Sequence, residues 1–167
     1  MMEEREKVLK ILHELDISYE IYEHPPVPTV EAALPYWKNI DATHCKNLFF
    51  RNHKGNRHYL VILKHLRQLR IHDLELKLKQ GKISFASPKR MEKYLGLSGG
   101  SVSVFGLIND TENHVHLFLD AELQSAEKIS FHPNENSSTV VISFDSFLKF
   151  LEWSGNTYEF IKLYEDD

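Results

Sequence analysis

The residue types able to do chemistry fall in three short stretches. Lys46 and Asn47 open an apolar run, Leu48–Phe50. Gly99, Gly100 and Ser101 precede Val102, Val104 and Phe105. His132 begins a turn, His132-Pro133-Asn134-Glu135-Asn136. A lysine amine, the N–H groups of a glycine turn and an imidazole can together bind an anionic group and stabilise an oxyanion. That chemistry needs no activated side-chain nucleophile, only a positioned water. Each stretch also has a plain structural reading. Lys46 can be a lysine snorkelling off a strand end, and the glycine pair can be a tight turn feeding a strand.

Other chemistries find less support. The chain has ten histidines, and His114 and His116 would share one face of a strand. A tight metal site needs a third protein ligand, and the spacing of His and Cys is not that of a zinc finger. Cys45 lies beside His44, but adjacent strand residues point to opposite faces, so that histidine cannot deprotonate that thiol. There is no Gly-x-Ser-x-Gly elbow, no dinucleotide glycine fingerprint and no Walker-type loop.

The elements that must position these residues are legible from periodicity. Val8, Ile11, Leu12 and Leu15 make one apolar stripe and predict a helix over 3–15. A short strand is expected over Ser18–Tyr22, then a rigid extended connector, His24-Pro25-Pro26-Val27-Pro28. Thr29 can cap a short helix over Val30–Leu34 that Pro35 stops or bends. Two apolar runs, Leu48–Phe50 and His58–Leu63, flank a polar connector with Gly55 and read as a β-hairpin. This places Lys46 at the edge of a sheet. Asp73 is expected to cap a helix over Leu74–Gln80 that Gly81 ends, and Ser87-Pro88 to start another that Gly96 ends. Further strands are expected at Ile83–Phe85, Val115–Leu119, Ile129–Phe131, Thr139–Ser143 and Tyr158–Leu163. A helix over Phe144–Trp153 precedes the last of them. The mixture does not alternate strictly, which predicts an α+β domain, a mixed or antiparallel twisted sheet flanked by helices.

The length, 167 residues, suits one domain spanning 1–167. One cysteine rules out an internal disulfide and fits a reducing cytosol. The charged start lacks a signal-peptide core, and no apolar run approaches the roughly 18 residues of a membrane span. Net charge is −4, but it is unevenly placed. Residues 46–93 hold 13 of the 20 Lys/Arg and only Asp73, Glu75 and Glu92 of the 24 acids, a balance of +10 against −14 elsewhere. Such a block is either a phosphate-binding face or a solvated basic segment packed on an acidic one.

Taken in order, the motifs resemble a known family. They are His24-Pro25-Pro26-Val27 with Thr29-Val30-Glu31-Ala32, His44-Cys45-Lys46-Asn47-Leu48-Phe49, and Ile83-Ser84-Phe85-Ala86-Ser87. Leu95-Gly96, Gly100-Ser101-Val102 and Phe105-Gly106-Leu107-Ile108-Asn109-Asp110 follow, then Phe131-His132-Pro133 with Asn136. Order and spacing together are similar to the YbaK/prolyl-tRNA-synthetase-associated editing domains, in particular the free-standing branch that deacylates alanyl-tRNA(Pro). Two positions depart from the family pattern. Val104 replaces the usual proline of the glycine loop, and Asn134 replaces a usual apolar residue.

The resemblance implies a cytoplasmic hydrolase acting on the 3′ acceptor end of a mischarged tRNA, without metal or cofactor and with prolyl-tRNA synthetase as a candidate partner. It implies catalytic roles for Lys46, Gly100, Ser101 and His132, and substrate contacts from Asn47, Thr29, Gly99, Val102, Val104, Phe105 and Asn136. Lys46 would hold a phosphate or the terminal ribose. N–H groups around Gly100–Val102 would polarise the ester carbonyl, and water, activated by the neighbouring ribose hydroxyl, would attack. A separate small pocket suits this task, because one methylene is worth only about 1–3 kcal/mol in a synthetase pocket. Deacylation of another small-residue tRNA such as cysteinyl-tRNA, and a non-catalytic tRNA- or synthetase-binding module, are the alternatives.

Overall fold

A computed structural model describes residues 3–164; the acidic tail beyond lies outside them. Among the described residues, five α-helices and eight strands follow one another as α1 (Glu4–Glu14), β1 (Glu20–Glu23), α2 (Val30–Trp37), β2 (Thr43–Asn52), β3 (His58–Lys64), α3 (Ile71–Leu78), β4 (Ile83–Phe85), α4 (Pro88–Leu95), β5 (Val115–Asp120), β6 (Lys128–Phe131), β7 (Ser138–Ser143), α5 (Phe144–Ser154) and β8 (Tyr158–Ile161). Short 3-10 turns cover Gly99–Ser101, Val104–Asn109 and Ala121–Ser125. The strands form one mixed sheet in the order β1-β7-β6-β2-β3-β5-β8, with β4 on β2. The domain is therefore α+β, as the unequal mixture of periods indicates.

Strand β3 shows why the sheet holds. Leu60 and Ile62 enter one core with Val8 and Leu12 of α1 and Phe147 and Phe150 of α5. Val61 and Leu63, pointing the other way, pack with Leu74 and Leu78 of α3. Period-two alternation thus serves two apolar layers, and an unbroken apolar run is what such a strand requires. A third, small cluster joins Val27, Ala33, Trp37, Ile40 and Val141, and it fastens α2 to β7.

Several local expectations are corrected. Pro35 does not stop α2, which runs on to Trp37; burial of Trp37 and its bond to Thr139 hold the last turn in place. Helix α3 starts at Ile71, with Asp73 in its first turn rather than at the cap, where its charge still suits the helix dipole. Its end is Lys79, left-handed at φ 57°, and not Gly81. Strand β1 begins two residues later than expected.

The largest correction concerns β2. It is an interior strand, so Lys46 lies beside an internal gap and not on the outer edge of the sheet. One side of β2 pairs with β3 from Cys45 to Arg51. The other side meets β6 only at Thr43–His44 and β4 only at Phe50–Asn52. From Cys45 to Phe49 that side has no strand beside it, and the sheet opens into a slot.

Candidate active site

The slot is a cavity of about 150 Å³. A hollow of that order takes a guest about the size of benzene. Its back wall is β2, through Cys45, Lys46, Asn47 and Leu48. Val27, Pro28 and Thr29, with Val30 and Trp37 of α2, close one side; Gly99, Gly100, Val102 and His132 close the rest.

Proline spacing explains the first side. Pro25, Pro26 and Pro28 hold the chain extended, and the Val27 N–H donates to the Asn136 carbonyl at 3.0 Å. Thr29 then caps α2, its hydroxyl accepting from the Ala32 N–H at 3.2 Å. Trp37 is anchored by stacking on His44, ring centroids 4.7 Å apart and 5° from parallel. Its indole N–H donates to the Thr139 hydroxyl at 3.3 Å.

The glycine turn closes the cavity next to the proline segment. The Ser101 N–H donates back to the Ser98 carbonyl at 3.0 Å. The N–H groups of Gly99 and Gly100 open this turn, where a helical turn has no internal acceptor to offer. Gly100 lies close to the proline segment: a methyl group there would sit 3.6 Å from the Pro28 Cα and 3.5 Å from the Asn136 amide nitrogen.

Three side chains supply the polar chemistry. The Lys46 amine donates to the Arg67 carbonyl at 2.8 Å, which holds its long stem in place. The side-chain oxygen of Asn47 is buried without a hydrogen-bond partner. Leaving such an acceptor unsatisfied costs about 1–3 kcal/mol, a cost that a donor on a bound molecule would remove. His132 donates from Nδ1 to the Ser138 carbonyl at 3.0 Å. The carbonyl can only accept, so the proton sits on Nδ1 and Nε2 is left bare. Burial lowers the pKa of His132 and keeps it neutral.

Cys45 is not a nucleophile here. Burial pushes its thiol far up, so it stays protonated. His44, facing the other way, is committed to structure, with Nε2–H donating to the Ile40 carbonyl at 3.2 Å and Nδ1 accepting from the Ser130 hydroxyl.

Of the residues expected from sequence, the cavity brings together Lys46, Asn47, Thr29, Gly99, Gly100, Val102 and His132. Four others do not reach its wall. Val104 and Phe105 are fully buried in the main core, and the Phe105 ring stands edge-on to Phe131 and Phe150 at 5.8 and 5.1 Å. Ser101 is nearly buried behind the turn that it closes. Asn136 ties the proline segment in place from behind Gly100. The two departures from the family pattern both have structural work. Val104 fills core, while Asn134 takes a left-handed turn at φ 61° and donates to the Phe105 carbonyl at 3.2 Å. Sequence reasoning missed Trp37, Val27, Pro28 and Val30 as walls.

A family model described as an aminoacyl-tRNA editing domain matches residues 24–150, most of the chain and every wall of the cavity. The chain belongs to the aminoacyl-tRNA editing domain family. As an editing domain it is an aminoacyl-tRNA deacylase, a carboxylic ester hydrolase. It is 39% identical over 163 residues to the prolyl-tRNA editing protein ProX of Acetoanaerobium sticklandii, covering 97% of this chain and 99% of that one. It is 34% identical over 156 residues to prolyl-tRNA synthetase associated domain-containing protein 1 of Xenopus laevis, covering 91% and 92%. Among solved structures, a protein proposed to be a trans-editing enzyme for prolyl tRNA synthetase superposes with a TM-score of 0.72. That match covers 97% of this editing domain and 98% of the other chain at 16% identity, a likeness of fold.

Proposed function

We propose that the chain clears mischarged tRNA(Pro) in trans, that its main substrate is alanyl-tRNA(Pro), and that it works in the cytoplasm, free or docked on prolyl-tRNA synthetase. The observation that carries this reading is one small cavity lined by Lys46, by Asn47 with its unpartnered buried amide oxygen, by Gly99 and Gly100, and by His132 with its neutral imidazole. Its size supports a small acyl group, and its relatives' names support tRNA(Pro). No described helix is long and apolar enough to cross a membrane.

In this reading the aminoacyl group enters against Val27, Pro28, Val30 and Trp37. Lys46 exchanges its bond to the Arg67 carbonyl for a phosphate or ribose oxygen of the terminal nucleotide. The unpartnered oxygen of Asn47 accepts from the α-ammonium of the amino acid. Charge on the ester oxygen, as water adds, is met by the N–H groups of the glycine turn. His132 holds a bare Nε2 within this constellation, ready to accept a hydrogen bond from water or from a ribose hydroxyl.

The test is a panel of tRNAs charged with alanine, cysteine, serine or proline, incubated with the wild type and Lys46→Ala. Alanyl-tRNA(Pro) should be hydrolysed fastest. Lys46→Ala should lose roughly 10- to 100-fold in kcat/KM, the scale of losing one hydrogen bond between charged groups. Preference for another charged tRNA, or full activity of Lys46→Ala, contradicts the reading.

A further inference from the structure

The positive block of the sequence is not one surface. Near the cavity, Lys64 and Arg67 share one carboxylate, Glu122, at 3.4 and 3.0 Å. On other elements Arg5, Lys7 and Lys128 also lie against carboxylates. The opposite holds at the far end of the β2–β3 hairpin. Arg51, Lys54 and Arg57 surround its turn, and Lys89, Arg90 and Lys93 lie on α4. Among the described residues, none of these six is within ion-pair distance of a carboxylate, and Glu92 is the only acid on the two segments. Lys54, Arg57, Lys89 and Lys93 are exposed.

One of these cations, Arg90, joins the two segments. Arg90 donates from Nη1 to the Gly55 carbonyl at 2.9 Å and to His58 Nε2 at 3.0 Å. A guanidinium can only donate, so His58 accepts there and donates from Nδ1 to His114 Nε2 at 2.8 Å. The His114 ring stacks on Tyr94 of α4, 4.3 Å away. Gly55, left-handed at φ 73°, leaves the space that Arg90 occupies, since a Cβ would lie 2.7 Å from its Nη2. Helix and hairpin tip are thus one rigid unit. That unit borders the cavity: Met91, next to Arg90, lies 3.9 Å from where a Cβ on Gly99 would be. Along β2, Asn47 and Asn52 are five residues apart, about 16 Å.

We infer that this unneutralised surface of hairpin tip and α4 docks the sugar–phosphate backbone of an RNA duplex, the acceptor stem, while the unpaired 3′ end crosses to the cavity. The inference rests on the proposed tRNA substrate and adds where the stem lies. Clustered cations with no carboxylate partner and few nearby acids match a regularly charged polyanion, whose binding releases counterions.

The experiment measures binding of uncharged tRNA(Pro) and of an acceptor-stem minihelix by fluorescence anisotropy across a salt series. Two neutralised pairs, Lys54→Ala with Arg57→Ala and Lys89→Ala with Lys93→Ala, are compared with a control pair on other elements, Lys10→Ala with Lys149→Ala. Each patch pair should flatten the slope of log K against log salt by about 1.8, since each phosphate contact contributes about 0.9. The control pair should keep the wild-type slope. A wild-type slope in both patch pairs, or an equal loss in the control, overturns the inference. Wild type that binds with the full slope but hydrolyses no charged tRNA overturns the proposed function instead.

Discussion

At the scale of single residues, Asn47 separates function from stability most cleanly. Its side chain forms no hydrogen bond among the described residues, and its oxygen is buried. Asn47→Ala therefore removes no bond and relieves a desolvated acceptor. The variant should melt at or above the wild-type temperature while losing most of its deacylase activity; a clear drop in Tm contradicts the assignment. Lys46, Asn47, Gly100 and His132 were legible because their types carry chemistry and their order matches a family. Phe105 and Val104 were misplaced for a physical reason. An apolar residue following a glycine turn has the same sequence signature whether it faces a cavity or the core, and these two face the core. Trp37 and Val27 were missed for the converse reason, since a wall made of hydrocarbon leaves no chemical mark.

At the scale of elements, the cavity is a gap between pairings, and α2 with its proline lead is the part that closes it. Val27 belongs to the small cluster that fastens α2 and also lines the cavity. Val27→Ala should cost about 2 kcal/mol of stability through lost burial. It should also enlarge the cavity, so that on the proposed reading the ratio of prolyl- to alanyl-tRNA hydrolysis rises. An unchanged ratio, measured on the folded variant, would mean that discrimination lies elsewhere. The hairpin and α5 were readable because periodicity reports directly on burial. The interior position of β2 was not, since neighbours brought in by parallel pairing, such as β6, are distant in sequence. Pro35 misled for a related reason: local propensity argues for a stop, whereas Trp37 holds the helix from outside it.

At the scale of the whole molecule, His58 couples the hairpin tip to solution pH. It is 1% exposed, and burial, with His114 and Arg90 beside it, lowers its pKa from 6.5 to about 4. The folded chain therefore binds this proton less readily than the unfolded chain does. Stability contributed by neutral His58 is full above pH 6.5 and is lost progressively as pH falls towards 4. His58→Gln cannot titrate, yet keeps an acceptor for Arg90 and a donor for His114. Its Tm should fall less steeply over that interval than the wild type's; equal slopes would assign the acid sensitivity to other groups. The open side of β2 has a consequence that deuterium would reveal. His44 exchanges its carbonyl bond with β3, through the His65 N–H, and strand alternation gives Lys46 and Leu48 the same direction. The amide of Asn47 must then point away, into the slot. In the middle of the sheet, flanked by two slowly exchanging neighbours, one amide should trade its hydrogen within the time of a breathing loop, and it should slow down when the slot is filled.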